Sequence, residues 1–468
     1  MHTQNEKASK RSCLFLSILV FVVLPFSFIA LGLMLWYGRQ SSGNRLLTAR
    51  EASIRKQGLP IDDASVDQFF KDRTDSTNAA AWQGILATMK TEDFKASLNG
   101  VGILTGVVEE RIVPDHEWKE EAASLAFLEK WKTLHAEAVQ LSIDAKPVRF
   151  PAVFDSYNTQ LTYKTLVTEA RELIQVAKLL ELQGRVGLRA RSSTVVRENV
   201  DAMLGLSQVP TGYPILVSQL GAIAIDGIAI GLLKDAIEYD VLNEADLQRL
   251  LLKVLSAVNM SEDWKATIAG ERGMALPIFT DPKKARAIGI PSIPGRSRDA
   301  LLYLDLTDEV MEIPVENLAE LKSKLHDFEL KVQEIAKASL LAQFESIITQ
   351  QTFPSWRAAG DAFIRRALQH RIAAIAMGLR LYEDRHASLP SSLEALSAIP
   401  LDIKRLAPTN NTSFEYRKDG GNAKLWGGSY NDPLTIAVEP HAAQTDNEDN
   451  FSKHSREFWL WELPAGKK

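Results

Sequence analysis

The longest uninterrupted apolar stretch lies close to the start of the chain. Residues 14–36 read LFLSILVFVVLPFSFIALGLMLW, 23 positions without a charge. A helix of that length measures about 34 Å and crosses a hydrocarbon core of about 30 Å with some tilt. Pro25 is tolerable in lipid because neighbouring backbone relaxes around it. Trp36 and Tyr37 close the run as an aromatic interface anchor. The pattern predicts a transmembrane helix over 14–37. A cleaved signal peptide would have a shorter apolar region and a small-residue cleavage site, and the exit Leu33-Met34-Leu35-Trp36-Tyr37 offers none. Residues 1–13 form a short basic tail with Lys7, Lys10 and Arg11, nearly balanced by Arg39, Arg45 and Arg50 beyond the span. A large body following a short tail translocates largely regardless of its own charges, so the tail is expected inside and the body outside.

After a polar, basic stalk at 38–60, expected to be part helix, apolar positions recur at three- and four-residue steps, the period of amphipathic helices. A helical body is expected over 61–276. Its clearest helices fall at 78–89, at 118–143 with Leu125, Leu128 and Trp131 inward, and at 161–189 with Leu166, Ala170, Leu173, Ala177 and Leu180 inward. Ser193 is placed to cap the next helix, and Asn243 with Asp246 forms a capping pair for another. Stacked antiparallel helix pairs in a repeat-like array follow from this succession. Residues 277–298, rich in proline and glycine, read as a loop. Further helices follow within 299–388, near 299–311, 315–347 and 356–386. The period then changes, and 389–468 reads as a small antiparallel β meander with strands at 412–417, 423–426, 434–438 and 457–463. Lys418-Asp419-Gly420-Gly421 supplies the hairpin turn. The fold class is therefore mainly α, with a small C-terminal sheet.

A second apolar run, PILVSQLGAIAIDGIAIGLL at 214–233, is also long enough to span a bilayer and contains Gly227-x-x-x-Gly231. Gln219 and Asp226 count against that, since an aspartate near the bilayer centre costs about 2.5–3.5 kcal/mol. A buried core helix, with the glycines permitting close packing, is the expected role.

Composition changes the picture in two ways. The net charge of −5 carries no dominant basic face and argues against a dedicated nucleic-acid binder. Cys13 is the only cysteine, so disulfides, cysteine-bound zinc, iron–sulfur clusters and thiol nucleophiles are excluded from the body.

Candidate chemistry is sparse. His135-Ala136-Glu137 has the local shape of a zinc deaminase motif, but no Pro-Cys-x-x-Cys can follow it. His370 and His386 lie sixteen residues apart on one predicted helix, about 24 Å along it, too far to share a metal. Gly100-x-Gly102-x-x-x-Gly106 has one residue too many for a dinucleotide fingerprint. Ser53-x-x-Lys56 lies in the stalk. Two basic clusters, Arg185/Arg189/Arg191/Arg197 and Arg365/Arg366/His370/Arg371, are expected on solvated helix faces, where either could hold an anion or a partner's carboxylates. Glu271-Arg272 is expected to form a buried pair that fixes helix packing. Trp426, Tyr430, Phe458, Trp459 and Trp461 crowd the C-terminal module, and packing of the sheet onto helices is the commoner use of such aromatics. No catalytic, cofactor-binding or metal-binding residue is assigned, and no cofactor.

Two stretches carry resemblances. AKPVRFP, LVTEARELIQVAKLLELQGRVGLRA and IAGERGMAL, between Ala145 and Leu276, resemble uncharacterised families of membrane-anchored bacterial envelope proteins with helical bodies. That resemblance implies location and architecture without an activity. IAAIAMGLRLYEDRHASLPSSLEAL at 372–396 is similar to the helix-to-sheet junction of pseudopilins, although the N-terminus lacks the prepilin cleavage glycine and the glutamate beyond it. The expectation is a single-pass inner-membrane protein, N-terminus inside, with its body outside the cytoplasm. It would touch the lipid bilayer through residues 14–37 and serve as a non-enzymatic scaffold or partner-binding module for another protein. An envelope hydrolase using dispersed acids, or a secretion- or pilus-associated component, is the alternative.

Overall fold

The structure, a computed structural model, describes residues 24–464 apart from 106–111, 115, 151–158, 259, 288, 291–295, 338–342, 344–345, 400, 402–405, 407–413 and 427–459. It opens on α1 (Leu24–Lys56), a 33-residue helix. The first ten residues of the predicted span, 14–23, lie outside the described residues. The stalk at 38–60, expected to be part helix, is helical as far as Lys56, and Leu47 and Ile54 are buried in a second apolar cluster with Ala300, Tyr303 and Leu304. The reason is legible in hindsight, because Leu47 and Ile54 stand seven residues, or two turns, apart on one face.

Short helices follow: α2 (Asp63–Lys71), α3 (Ala79–Met89), α4 (Glu92–Ser97), α5 (Gly102–Thr105), α6 (Glu121–Lys130) and α7 (Lys132–Ser142). Asp62 opens α2 through a reciprocal capping box with Ser65. The single helix expected over 118–143 breaks at Trp131, which leaves helical geometry at φ −106°, ψ 20°. Its indole Nε1 donates to Ser97 Oγ at 2.8 Å, and its ring meets Phe94 edge-on. Leu125, expected inward, is 44% exposed.

The centre is built from long helices: α8 (Thr159–Arg189), α9 (Ser193–Leu206), α10 (Leu216–Glu238), α11 (Glu244–Ser256) and α12 (Ser261–Thr280). Asn243 caps α11 by accepting from Asp246 N at 3.0 Å, as its sequence predicts. Ser193 is the first helical residue rather than the cap, and its hydroxyl bonds Asp246 across to α11. Helix α10 is, among the described residues, the one long and apolar enough to cross a membrane by length and composition. Within the fold it packs against α8, α9, α12 and α17 (Trp356–His386). A Cβ added at Gly227 or Gly231 would meet nothing within 4 Å, so this pair does not mediate close helix approach. Gly205 does: a Cβ there would sit 1.8 Å from the Ser142 carbonyl oxygen of α7.

The loop expected at 277–298 is largely helix. Pro277 lies inside α12, followed by α13 (Pro282–Ala287), and α14 (Arg296–Met311) begins where the loop was to end. Then come α15 (Leu318–Lys337), α16 (Ile347–Thr352) and α17. Helix α17 folds back onto α10, α11 and α15. That return is long-range packing, unlike the neighbour-to-neighbour contacts of a repeat array.

Ala387 ends α17 in the left-handed region at φ 56°, and Leu389 and Pro390 are buried on the way to the sheet. Strands β1 (Glu415–Asp419), β2 (Asn422–Trp426) and β3 (Leu460–Leu463) form an antiparallel sheet in the order β1-β2-β3. Asp419 pairs with Asn422 across the Gly420-Gly421 turn, with Gly420 at φ 59°. The strand expected at 434–438 lies outside the described residues. The sheet docks on the end of α10: Glu462 N donates to Glu238, and Arg380 of α17 donates to the carbonyls of Ile237 and Pro464. Trp461, of the expected aromatic cluster, is buried at this junction, while Tyr430, Phe458 and Trp459 lie outside the described residues.

Candidate functional site

Asp226 stands on the apolar helix α10 and is 1% exposed. An uncompensated carboxylate there would be prohibitive. Arg366 of α17 supplies the compensation, donating from Nε to Asp226 Oδ2 at 2.6 Å, while its Nη1 reaches Asp263 of α12 at 3.3 Å. His370, one turn further along α17, places Nε2 3.4 Å from the same carboxylate and Nδ1 3.3 Å from the Val254 carbonyl of α11. Burial pushes the Asp226 carboxyl up, but the Arg366 charge and hydrogen bonds from His370 and Ser207 outweigh it and hold the group at about 2. Asp263, at the edge, is raised by burial against the pull of Arg366. This node ties α10, α11, α12 and α17 together. Asp226, Arg366 and His370 are at most 2% exposed, so the group is sealed against any substrate.

The basic cluster of α17 is thus not a solvated face: Arg366, His370 and Arg371 are all buried. The physical reason is that α17 is enclosed by α10, α11 and α15. The other cluster is spread over several partners. Arg185 pairs with Asp235 and Glu181, Arg197 with Asp246 and Glu198, and Arg189 with Glu121 and the carbonyls of Val113 and His116. Arg191 donates to the Tyr239 carbonyl. Glu271 and Arg272 are buried but serve different neighbours: Glu271 accepts from Leu216 N at 2.7 Å, and Arg272 pairs with Asp308 of α14 at 2.8 Å. Adjacent positions on a helix point about 100° apart, so two neighbours rarely share one contact.

The remaining motifs also resolve into structure. His135 Nε2 bonds Asn199 Oδ1 at 2.8 Å, and burial lowers its pKa. His386 lies over the Tyr382 ring with centroids 4.2 Å apart. Gly100 adopts φ 77°, Gly102 N donates to Glu120, and Gly106 lies outside the described residues. Ser53 is exposed on α1. Among the described residues no three His, Cys, Asp or Glu side chains are grouped to hold a metal ion.

One polar group escaped the reading of the sequence. Glu169 of α8 borders a cavity of about 10 Å³, together with Leu166, Leu173, Tyr213 and Ser218. That space suits a single water molecule. Glu169 Oε2 is buried without a hydrogen-bond partner among the described residues. Burial and the neighbouring Glu172 push its carboxyl up to about 7, against the pull of Lys90. The signal was available: position 169 falls between Leu166, Ala170 and Leu173 on the apolar stripe of α8. A carboxyl near neutrality is equipped for proton transfer, but the cavity beside it has no room for a substrate.

The fold and these groups define a mainly helical protein with a small antiparallel sheet, in which Asp226, Arg366, Arg185 and Arg272 serve contacts between helices. No protein family, no curated protein and no solved structure matches the chain.

Proposed function

We propose that this chain is a single-pass membrane protein of the cell envelope, anchored by residues 14–37 with its N-terminus inside, whose extracytoplasmic body is a non-enzymatic scaffold for a protein partner. One observation carries the reading. The second half of the apolar run belongs to α1, which continues unbroken to Lys56 and buries Leu47 and Ile54 in the body. An anchor joined this way holds the body at a set height and orientation to the bilayer. A scaffold benefits from that; an enzyme acting on diffusing substrates has no need of it. The use of Asp226, Arg366, His370, Arg185 and Arg272 as bonds between helices points the same way.

The test is purification of the full chain from its own membranes in mild detergent, with mass spectrometry of what accompanies it. A reproducible stoichiometric protein partner is the expected result. Repeated isolation without one, together with turnover on a panel of envelope substrates, would replace the scaffold by a hydrolase.

A further inference from the structure

Between residues 38 and 56, α1 buries only Gly43, Leu47 and Ile54, on the one side of the helix that meets the body, and α14 lies along it. A helix held by so narrow a stripe is a strap on the body more than a part of its core. The end of the strap is pinned. Gly58 closes α1 in the left-handed region at φ 74°. Pro60 beyond it is seated on α12, where a Cβ added at Gly273 would lie 2.8 Å from the proline Cβ. Asp62 then opens α2. Gln57 and Gly58 are exposed between the strap and this fixed chain, and such element-terminal positions are where hinges absorb backbone rotation.

One side chain bolts the strap down. Asp308 of α14 gives Oδ2 to Arg50 of α1 and Oδ1 to Nη1 of Arg272 at 2.8 Å. Arg50 also lies 4.0 Å from the exposed Asp305. Arg272 is 1% exposed, yet its Nε and Nη2 are buried without a hydrogen-bond partner among the described residues. A guanidinium presents its donors as a fork that fits both oxygens of one carboxylate, and buried donors left unbonded are costly. Asp308 therefore divides between two arginines the oxygens that one of them could use together. The two also oppose each other: burial lowers the Arg272 pKa, Asp308 pulls it up and the Arg50 charge pushes it down.

We propose that Asp308 is the latch of a hinged strap: it holds Arg50 while α1 lies on α14, and turns wholly to Arg272 when α1 swings out about residues 57–58. The swing gives up the Arg50 pair and the burial of Leu47 and Ile54. It recovers a second hydrogen bond on the Arg272 fork and ends the repulsion between the two guanidinium groups. That partial cancellation keeps the open state a minor population of the folded chain. Its consequence rests on the anchor reading above. Latched, the body lies alongside α1; released, it is carried at the end of about 28 Å of helix between Tyr37 and Lys56. The latch thus sets how far from the bilayer the body meets its partner.

The experiment uses the full chain in detergent. Leu47→Cys, combined with Cys13→Ser, puts the only thiol under the strap. Its rate of labelling by a water-soluble maleimide follows the open population when opening is fast relative to labelling. Arg50→Ala removes the bolt and is expected to speed labelling about fivefold, with the urea midpoint of the body unchanged. Arg272→Met removes the competitor for Asp308 and is expected to slow labelling about threefold. Arg272→Lys keeps the charge but lacks the fork; it is expected to slow labelling as well, and it decides the matter if the methionine loosens the body. Labelling that Arg50→Ala leaves unchanged, or that Arg272→Lys speeds, overturns the latch. No bilayer enters this measurement, so its failure leaves the anchor standing. A chain that labels as expected yet leaves membranes on alkaline washing refutes the anchor alone.

Discussion

Arg366 and Asp226 show how a single pair can decide whether an apolar helix belongs to a core. Removing the guanidinium strands a carboxylate in low dielectric, and Arg366→Met is expected to cost about 3–5 kcal/mol in urea unfolding. The double variant Asp226→Leu/Arg366→Met is expected to cost much less, because no charge is then left alone. Glu169 makes the opposite prediction. Its carboxyl is raised from 4.5 to about 7, so the folded chain binds a proton more readily than the unfolded one. This group's contribution to stability is therefore full below pH 4.5 and is lost as pH rises through 7. The whole difference amounts to about 3 kcal/mol at most. Glu169→Gln is expected to match the parent at pH 4 and to exceed it by about 1–3 kcal/mol at pH 8, read as a shift in urea midpoint. Residues of this kind were only half legible in the sequence. Asp226 was visible as an intruder in an apolar run, but its partner lies 140 positions away, and no local pattern reports a contact at that distance. Arg366 and His370 read as surface because charge usually lies outside.

At the scale of elements, periodicity located most helices, and 356–386 matches α17 to the residue. Periodicity failed where tertiary contacts set the boundary. Trp131 breaks a helix because Ser97 and Phe94 hold its indole. Pro277 is carried within α12 three residues before its end, so the proline stands one turn before the helix stops instead of opening a loop. The packing of the stalk onto the body was not legible, because two buried side chains, Leu47 and Ile54, are too few to stand out among polar neighbours. Their importance can be measured. Leu47→Asp places a charge in the seam between α1 and α14 and is expected to speed trypsin cleavage at Arg45, Arg50 and Arg55 by more than tenfold, while the circular dichroism of the body stays unchanged. Unaltered cleavage would mean that α1 is not held by this seam. Gly205→Ala probes a second junction. Its methyl group would collide with the Ser142 backbone, and a loss of several kcal/mol is expected because backbone cannot swing aside as a side chain can.

The whole molecule was legible as a class: mainly helical, with a small sheet at the C-terminal end whose hairpin turn, Gly420-Gly421, falls where turn chemistry placed it. Its topology was not. The return of α17 onto α10 and α11 turns a row of helices into a layered body, and sequence spacing alone does not say which helix closes the core. At this scale the account depends on α1 serving both as bilayer rod and as a wall of the body. Alkaline carbonate washing of membranes containing the native chain, followed by mass measurement of the retained polypeptide, tests that most directly. The account predicts that the chain stays with the membrane and retains residues 14–37. A polypeptide released into the aqueous fraction, or one beginning downstream of Tyr37, would contradict it.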